Sequence, residues 1–223
     1  MRQFESFVTI KGAERTAATI VSVLLTKFSR FLTPDIQKFT ARDTVAFEEL
    51  GKKKTALFVS VSDVDRSKDK LVSIFYTLLL NRLRNIADSE EDRGLPIHIH
   101  FFLDDFSTNV VIPGFANAIS SLRSREISFA LVLQSESQLQ MRYNQDYRTI
   151  IANCAYYLFL GSRDLESCQE IAKRMNVPLD RVLYKPKDEV FILGGFCRPI
   201  VDAIYDIKQH PHYCDLKSER NYA

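Results

Sequence analysis

The stretch 97-IHIHFFLDDFSTN-109 carries an apolar run into two adjacent carboxylates, Asp104 and Asp105, and then into polar residues. One acid at a strand end serves as a turn former or a helix cap. Two in a row at the exposed lip of a buried strand place like charges side by side. Such a pair calls for a cation or a reacting water nearby.

Composition limits the classes. At 223 residues, 46% hydrophobic and 26% charged, the chain is ordinary globular material with enough apolar sequence for one large core. The formal charge of +2 gives no global field, so contact with nucleic acid would need a local patch or assembly into a ring. The cysteines Cys154, Cys168, Cys197 and Cys214 form no C-x-x-C pair and are expected as reduced thiols in a cytosolic protein. The longest apolar runs, TIVSVLL and LVSIFYTLLL, fall well short of the roughly 20 residues that cross a bilayer. No repeat, low-complexity tract or Pro/Gly linker divides the chain, and one domain over 1–223 is expected.

Working outward from the acid pair, strand and helix patterns alternate. Residues 16–32 place Ile20, Leu24, Leu25, Phe28 and Phe31 at helical spacing, with Lys27 and Arg30 opposite. TALFVSVSD (55–63) predicts a strand, 70–87 a helix and DSEEDRG a solvated connection. After the strand at 97–104, Pro113 opens a helix running to Arg123. SFALVLQS and YYLFLG then predict strands, and EIAKRM lies in a late helix. Apolar strands alternating with helices imply a mainly parallel sheet covered on both faces. Sites in such sheets gather at the carboxyl ends of strands, where Asp104, Asp105 and Gln134 fall.

An apolar strand ending in two acids has the layout of a Walker B element. There the first carboxylate holds Mg²⁺ through its water shell and the second orients or deprotonates the attacking water. The plainer alternative is a pair of helix-capping or loop-solvated acids. The surrounding text favours the first. The run FFLDDFSTNVVIPGFANAISSLRSREISFALVLQSESQLQMRY, followed by TIIANCAYYLFLGSRD, resembles the coupling ATPases of conjugative type IV secretion, the TraG/TraD family. Shared features include the acid pair, an IP loop, a helix ending LRSREIS, a strand ending LQSESQL, and NC before an FLG strand. The likeness extends upstream through GAERT and KKTALFVSVSD and downstream to YDIKQHPHY.

That resemblance implies a fold and a set of roles. The fold is a three-layer RecA-like (FtsK/HerA-type) α/β domain. Asp104 falls on the Mg²⁺-linked aspartate. Asp105 falls where the family has the water-activating glutamate, one methylene (about 1.5 Å) longer. Arg123 falls on the arginine that reaches a neighbouring subunit's nucleotide, with Arg125 a close competitor, and Gln134 on the glutamine that senses the γ-phosphate. A guanidinium stabilises charge on a transferred phosphoryl group, and a neutral amide holds phosphate or water without competing for the metal. Outside the family context, Arg123 reads as a solvated helix-end cation and Gln134 as a loop hydrogen-bonder.

A phosphate-binding loop, G-x-x-x-x-G-K-[ST] between strand and helix, does not occur in these 223 residues. GKKKT at 51–55 is a decoy, with Ala46 in place of the first glycine and Lys53 in place of Ser/Thr. In the family that loop and its strand lie upstream, beyond an all-helical insertion, with membrane segments further upstream. The chain is therefore expected to be the C-terminal part of a motor domain that lacks the phosphate-loop strand. It would work with ATP and Mg²⁺ in a membrane-anchored, cytoplasm-facing homo-hexamer that drives DNA, or a DNA-bound relaxase, to a secretion channel. The alternatives are a catalytically silent module that binds substrate or subunits, and a related HerA- or FtsK-type DNA pump. His98 and His100 share one face of their strand and read as satisfied sheet histidines rather than a metal pair. HPHYC (210–214) hints at zinc but lacks a second ligand pair.

Overall fold

The computed structural model describes residues 14–29, 33–42, 45–62, 64–107, 110–195 and 197–218. Arg30, Phe31 and Asp63, which belong to predicted elements, lie outside these. The chain falls into two units, Met1–Ala46 and Phe47–Ala223. The first holds α1 (Glu14–Ser29), on the run whose apolar spacing predicts a helix, and α2 (Pro34–Thr40). Pro34 starts α2, and the Thr33 hydroxyl accepts the Ile36 N–H at its amino end.

The second unit carries the acid pair. Its long helix α3 (Asp69–Ser89) buries Leu79, Leu80, Leu83, Ile86 and Ala87, a stripe at helical spacing. Strand β1 (Ile99–Leu103) then pairs in parallel with β2 (Ile127–Leu131), in register from Ile99 opposite Ile127 to Leu103 opposite Leu131. Parallel neighbours need a crossover, supplied here by α4 (Phe115–Leu122). Gly114 enters that helix at φ +67°, a conformation side chains resist. One face of the pair joins the core through Ile99, Phe101 and Leu103 of β1 and Ile127, Phe129 and Leu131 of β2. Phe101 stacks on Phe129 at 5.1 Å and Phe115 meets Phe129 edge-on at 5.2 Å. The other face presents His98, His100 and Phe102, the last 78% exposed.

Helices α5 (Glu136–Tyr143) and α6 (Asp146–Ala152) add Leu139, Tyr143 and Ile150 to the same core. Beyond them β3 (Tyr156–Phe159), α7 (Leu165–Met175), α8 (Leu179–Leu183) and β4 (Glu189–Gly194) form a second cluster around Phe159, Ile171, Val182 and Phe191, and β5 (Ile200–Ala203), exposed along its length, follows. Helix α7 is delimited as its sequence suggests: the Asp164 carboxylate accepts the Ser167 N–H and Asn176 ends it in the left-handed conformation. Strands β3, β4 and β5 form an antiparallel sheet of their own, and α9 (Tyr213–Ser218) follows.

Two elements differ from expectation. Residues 55–62 do not form a strand: 54–62 run without ladder hydrogen bonds to any described residue, and Phe58 is 93% exposed. The alternation TALFVSVS suits a pleated surface, but a strand exists only through its partner, and a cavity separates 59–62 from the end of β1. The antiparallel β4–β5 extension also goes beyond the strand and helix alternation read upstream.

Phe115, 1% exposed and packed on Phe106, Phe129 and Tyr143, ties the crossover helix to the parallel pair. Phe115→Ala is expected to destabilise the second unit by about 3–5 kcal/mol through lost contacts and a residual cavity. A urea midpoint unchanged from the parent would show that the core closes without this ring.

Candidate functional site at the carboxyl ends of the parallel pair

The turn that follows β1 is built by ladder bonds that outlast the strand. Val132 N donates to Leu103 O and Phe106 N to Val132 O, both at 3.0 Å. Between them the chain swings outward, so Asp104 and Asp105 are exposed while Phe106 and Ser107 are buried. The Asp104 Oδ1 accepts the Asp105 N–H at 3.0 Å. Asp105 sits at φ +46°, where aspartate and asparagine are tolerated better than most side chains. From the end of β2, Gln134 Nε2 donates to Asp105 Oδ1 at 3.2 Å. Three of the four residues singled out in the sequence therefore meet at one end of the parallel ladder.

A second link lies beneath them. Ser107, 1% exposed, donates from Oγ to Gln138 Oε1 at 3.0 Å, and Ser135 caps α5 by accepting the Gln138 N–H. The acid turn and the start of α5 are thus joined twice, by Asp105 to Gln134 and by Ser107 to Gln138. Tyr143, at the far end of α5, accepts the Ile112 N–H at 3.1 Å, and burial pushes its hydroxyl up to about 12. Ser107 and Gln138 do not stand out in sequence, where a serine after two acids reads as solvated loop.

The acids open onto a cavity of about 460 Å³ whose polar lining comes from Ser60, Ser62, Arg66, Tyr76, Asp104 and Asp105. Two neighbouring carboxylates on a cavity wall suit a hard divalent cation that keeps part of its water shell. The residues present therefore fit Mg²⁺, with Asp104 as the carboxylate that would hold it.

Arg123 is not at this end. It lies in the 3-10 turn Arg123–Arg125, ahead of β2, and so at the amino end of the ladder. Arg125 is committed locally: Nε lies 2.8 Å from Asp88 Oδ1, and a terminal nitrogen donates to Ser121 O at 2.7 Å. The Arg123 side chain is exposed and makes no hydrogen bond or ion pair with the described residues. His98 is held between Glu126 and Ser128, and His100 also contacts Ser128. In the HPHYC segment, His212 pairs with Asp215 at 3.0 Å. No group of three or more His, Cys, Asp or Glu among the described residues is placed to bind a metal.

A parallel pair with an acid-ended strand beside a glutamine-ended strand, crossed over by a helix, is an α/β arrangement that fits the RecA-like fold. The chain belongs to the type IV secretory system conjugative DNA transfer family, whose sequence profile matches residues 2–175. Among solved structures, it is similar to the bacterial conjugative coupling protein TrwBΔN70 in its unbound monoclinic form. The TM-score is 0.54 at 14% identity, over 62% of this chain and 38% of that one. The plasmid coupling protein TrwB in complex with the ATP analogue ADPNP matches with a TM-score of 0.54 at 15% identity, over 62% and 37%. TrwB in complex with ADP and Mg²⁺ gives 0.52 at 14%, over 63% and 38%. At such identities the likeness concerns the fold. The chain spans less than two fifths of the length of these relatives. No curated protein matches it. No helix among the described residues is long and apolar enough to cross a membrane.

Proposed function

We propose that residues 1–223 are the C-terminal part of the motor domain of a conjugative coupling ATPase, which recruits DNA or a relaxase-bound substrate and drives it to the secretion channel. The observation that carries this is the hydrogen bond from Gln134 to Asp105 at the carboxyl ends of paired parallel strands. Family membership and the TrwB-like fold support it.

Bound Mg·ATP supplies the cation and the phosphoryl group to be transferred. Asp104 would hold the cation. Asp105 would orient the attacking water and accept its proton, and Gln134, hydrogen-bonded to that carboxylate, would help to position the same water. Ser107 and Gln138 keep the two strand ends in register beneath. Arg123, at the other end of the ladder, completes the site of a neighbouring subunit in a hexamer. The ring faces the cytoplasm and is anchored to the membrane by other segments.

Without a phosphate loop, the acids cannot hold a triphosphate unaided. The chain alone is expected to bind Mg·ATP weakly and not to hydrolyse it. Joined to a phosphate-loop segment of the family, it is expected to gain a Mg²⁺-dependent ATPase that Asp104→Ala removes. Calorimetry and phosphate release check both arms. A micromolar dissociation constant for the isolated chain, abolished by Asp104→Ala, would contradict the first. No activity in the joined form would favour the other reading, a silent module that binds substrate or subunits, to which Asp105 in place of glutamate lends weight. The family match favours the coupling role over a HerA- or FtsK-type pump.

A further inference from the structure

We infer that Arg66 is a third charged member of the acid-pair site: a phosphate-contacting residue that serves the same cavity from its own subunit. The inference rests on the reading of Asp104 and Asp105 as the metal-holding and water-activating acids of a nucleotide site. It goes beyond that reading by naming the group that meets the anion.

Arg66 opens the 3-10 turn Arg66–Lys68, which leads directly into α3. The turn is fixed by Asp65, whose carboxylate accepts the Ser67 N–H at 3.0 Å. The Arg66 guanidinium is fixed by Asp69 in the first turn of α3, with Nε 2.8 Å from Oδ2. So held, Arg66 lines the cavity onto which Asp104 and Asp105 open.

Charge gives this placement its meaning. Two carboxylates carry two negative charges, which a bound divalent cation only neutralises. A polyphosphate brings several more negative charges into the same space and needs a further cation there. Among the described residues that line the cavity, Arg66 is the one cation. The other polar lining groups, Ser60, Ser62 and Tyr76, are neutral hydroxyls. A planar guanidinium also matches phosphoryl oxygens better than a point charge does. The ligand chemistry is therefore a metal-chelated pyrophosphate unit, the terminal part of a nucleoside triphosphate. Arg66 differs in role from Arg123, which stands at the opposite end of the ladder and completes a neighbour's site.

The probe is Mn²⁺, alone and as its pyrophosphate complex, titrated into this chain and followed by electron paramagnetic resonance and calorimetry. Arg66→Gln is expected to weaken Mn²⁺·pyrophosphate binding by about tenfold or more, the range of a lost charge-assisted hydrogen bond. It should leave affinity for Mn²⁺ alone unchanged or tighter, since a nearby positive charge is gone. Arg66→Lys, which keeps a cation able to pair with Asp69, should fall between. Asp104→Asn should weaken Mn²⁺ alone, and the Mn²⁺·pyrophosphate complex with it. If Arg66→Gln leaves pyrophosphate affinity intact while Asp104→Asn still weakens the metal, Arg66 serves only its ion pair with Asp69 and the inference is overturned. It is equally overturned if the unsubstituted chain shows no pyrophosphate response at millimolar concentration. Mn²⁺ affinity indifferent to Asp104→Asn would instead remove the reading of the acid pair, and this inference with it.

Discussion

In the form joined to a phosphate-loop segment, rings assembled only from Arg123→Ala subunits are expected to hydrolyse ATP about 10³ to 10⁵ times more slowly than unsubstituted ones, the range for losing an arginine supplied across a subunit boundary. The geometry keeps Arg123 away from the acids of its own subunit. Arg123 precedes β2, while Asp104 follows β1 and Gln134 follows β2. Five strand residues at about 3.3 Å each set the two ends roughly 17 Å apart, beyond the reach of an arginine side chain. Nor does Arg125 substitute for it, because Asp88 and the Ser121 carbonyl hold it in place. The decisive measurement mixes two nearly inactive proteins, each joined to the phosphate-loop segment, one carrying Arg123→Ala and the other Asp104→Ala. A boundary with intact acids from the first and an intact arginine from the second is a complete site. Mixed rings should therefore exceed the summed activity of the two alone. If labelled subunits co-assemble and no ratio restores hydrolysis, Arg123 is not the residue that acts in trans.

That separation of Arg123 from the acids was open to sequence reading only in part. The acid pair announces itself because an apolar strand cannot carry two carboxylates inward, so they mark its exposed end. Gln134 follows by the same logic from SFALVLQS, since a polar amide directly after a buried run falls at a strand end. Both lie at carboxyl ends because the pair is parallel, which the intervening helix predicts. Periodicity is local, however, and pairing is not. TALFVSVS has the alternation of a strand but no ladder at 55–62, and nothing within the segment could reveal that. Ser107 and Gln138 were hidden for a related reason: burial of a hydroxyl depends on where α5 returns, 31 residues later in the chain. Arg66 reads as one charge in the run DVDRSKDK, and only folding sets it on a cavity wall with Asp104.

Asp105 offers a test in which rate and stability move in opposite directions. Its carboxylate is one methylene shorter than the glutamate implied by the family resemblance, yet its backbone lies at φ +46°. Asparagine and aspartate tolerate that region, whereas a longer side chain without their local hydrogen bonding pays about 1–2 kcal/mol there. In the joined form, Asp105→Glu is expected to raise the ATPase rate by extending the carboxylate toward the water, while lowering the urea midpoint. Asp105→Asn keeps an oxygen to accept from Gln134 and suits the backbone, so its midpoint should hold. Its rate should fall by about 10² to 10⁴, the usual worth of a general base. A purely structural role predicts another pattern: Asn would be silent in both measurements, and Glu would lose stability with no gain in rate. Equal rates for aspartate, glutamate and asparagine at this position would move water activation elsewhere. Gln134, 3.2 Å from the same carboxylate, would then be the next residue to vary.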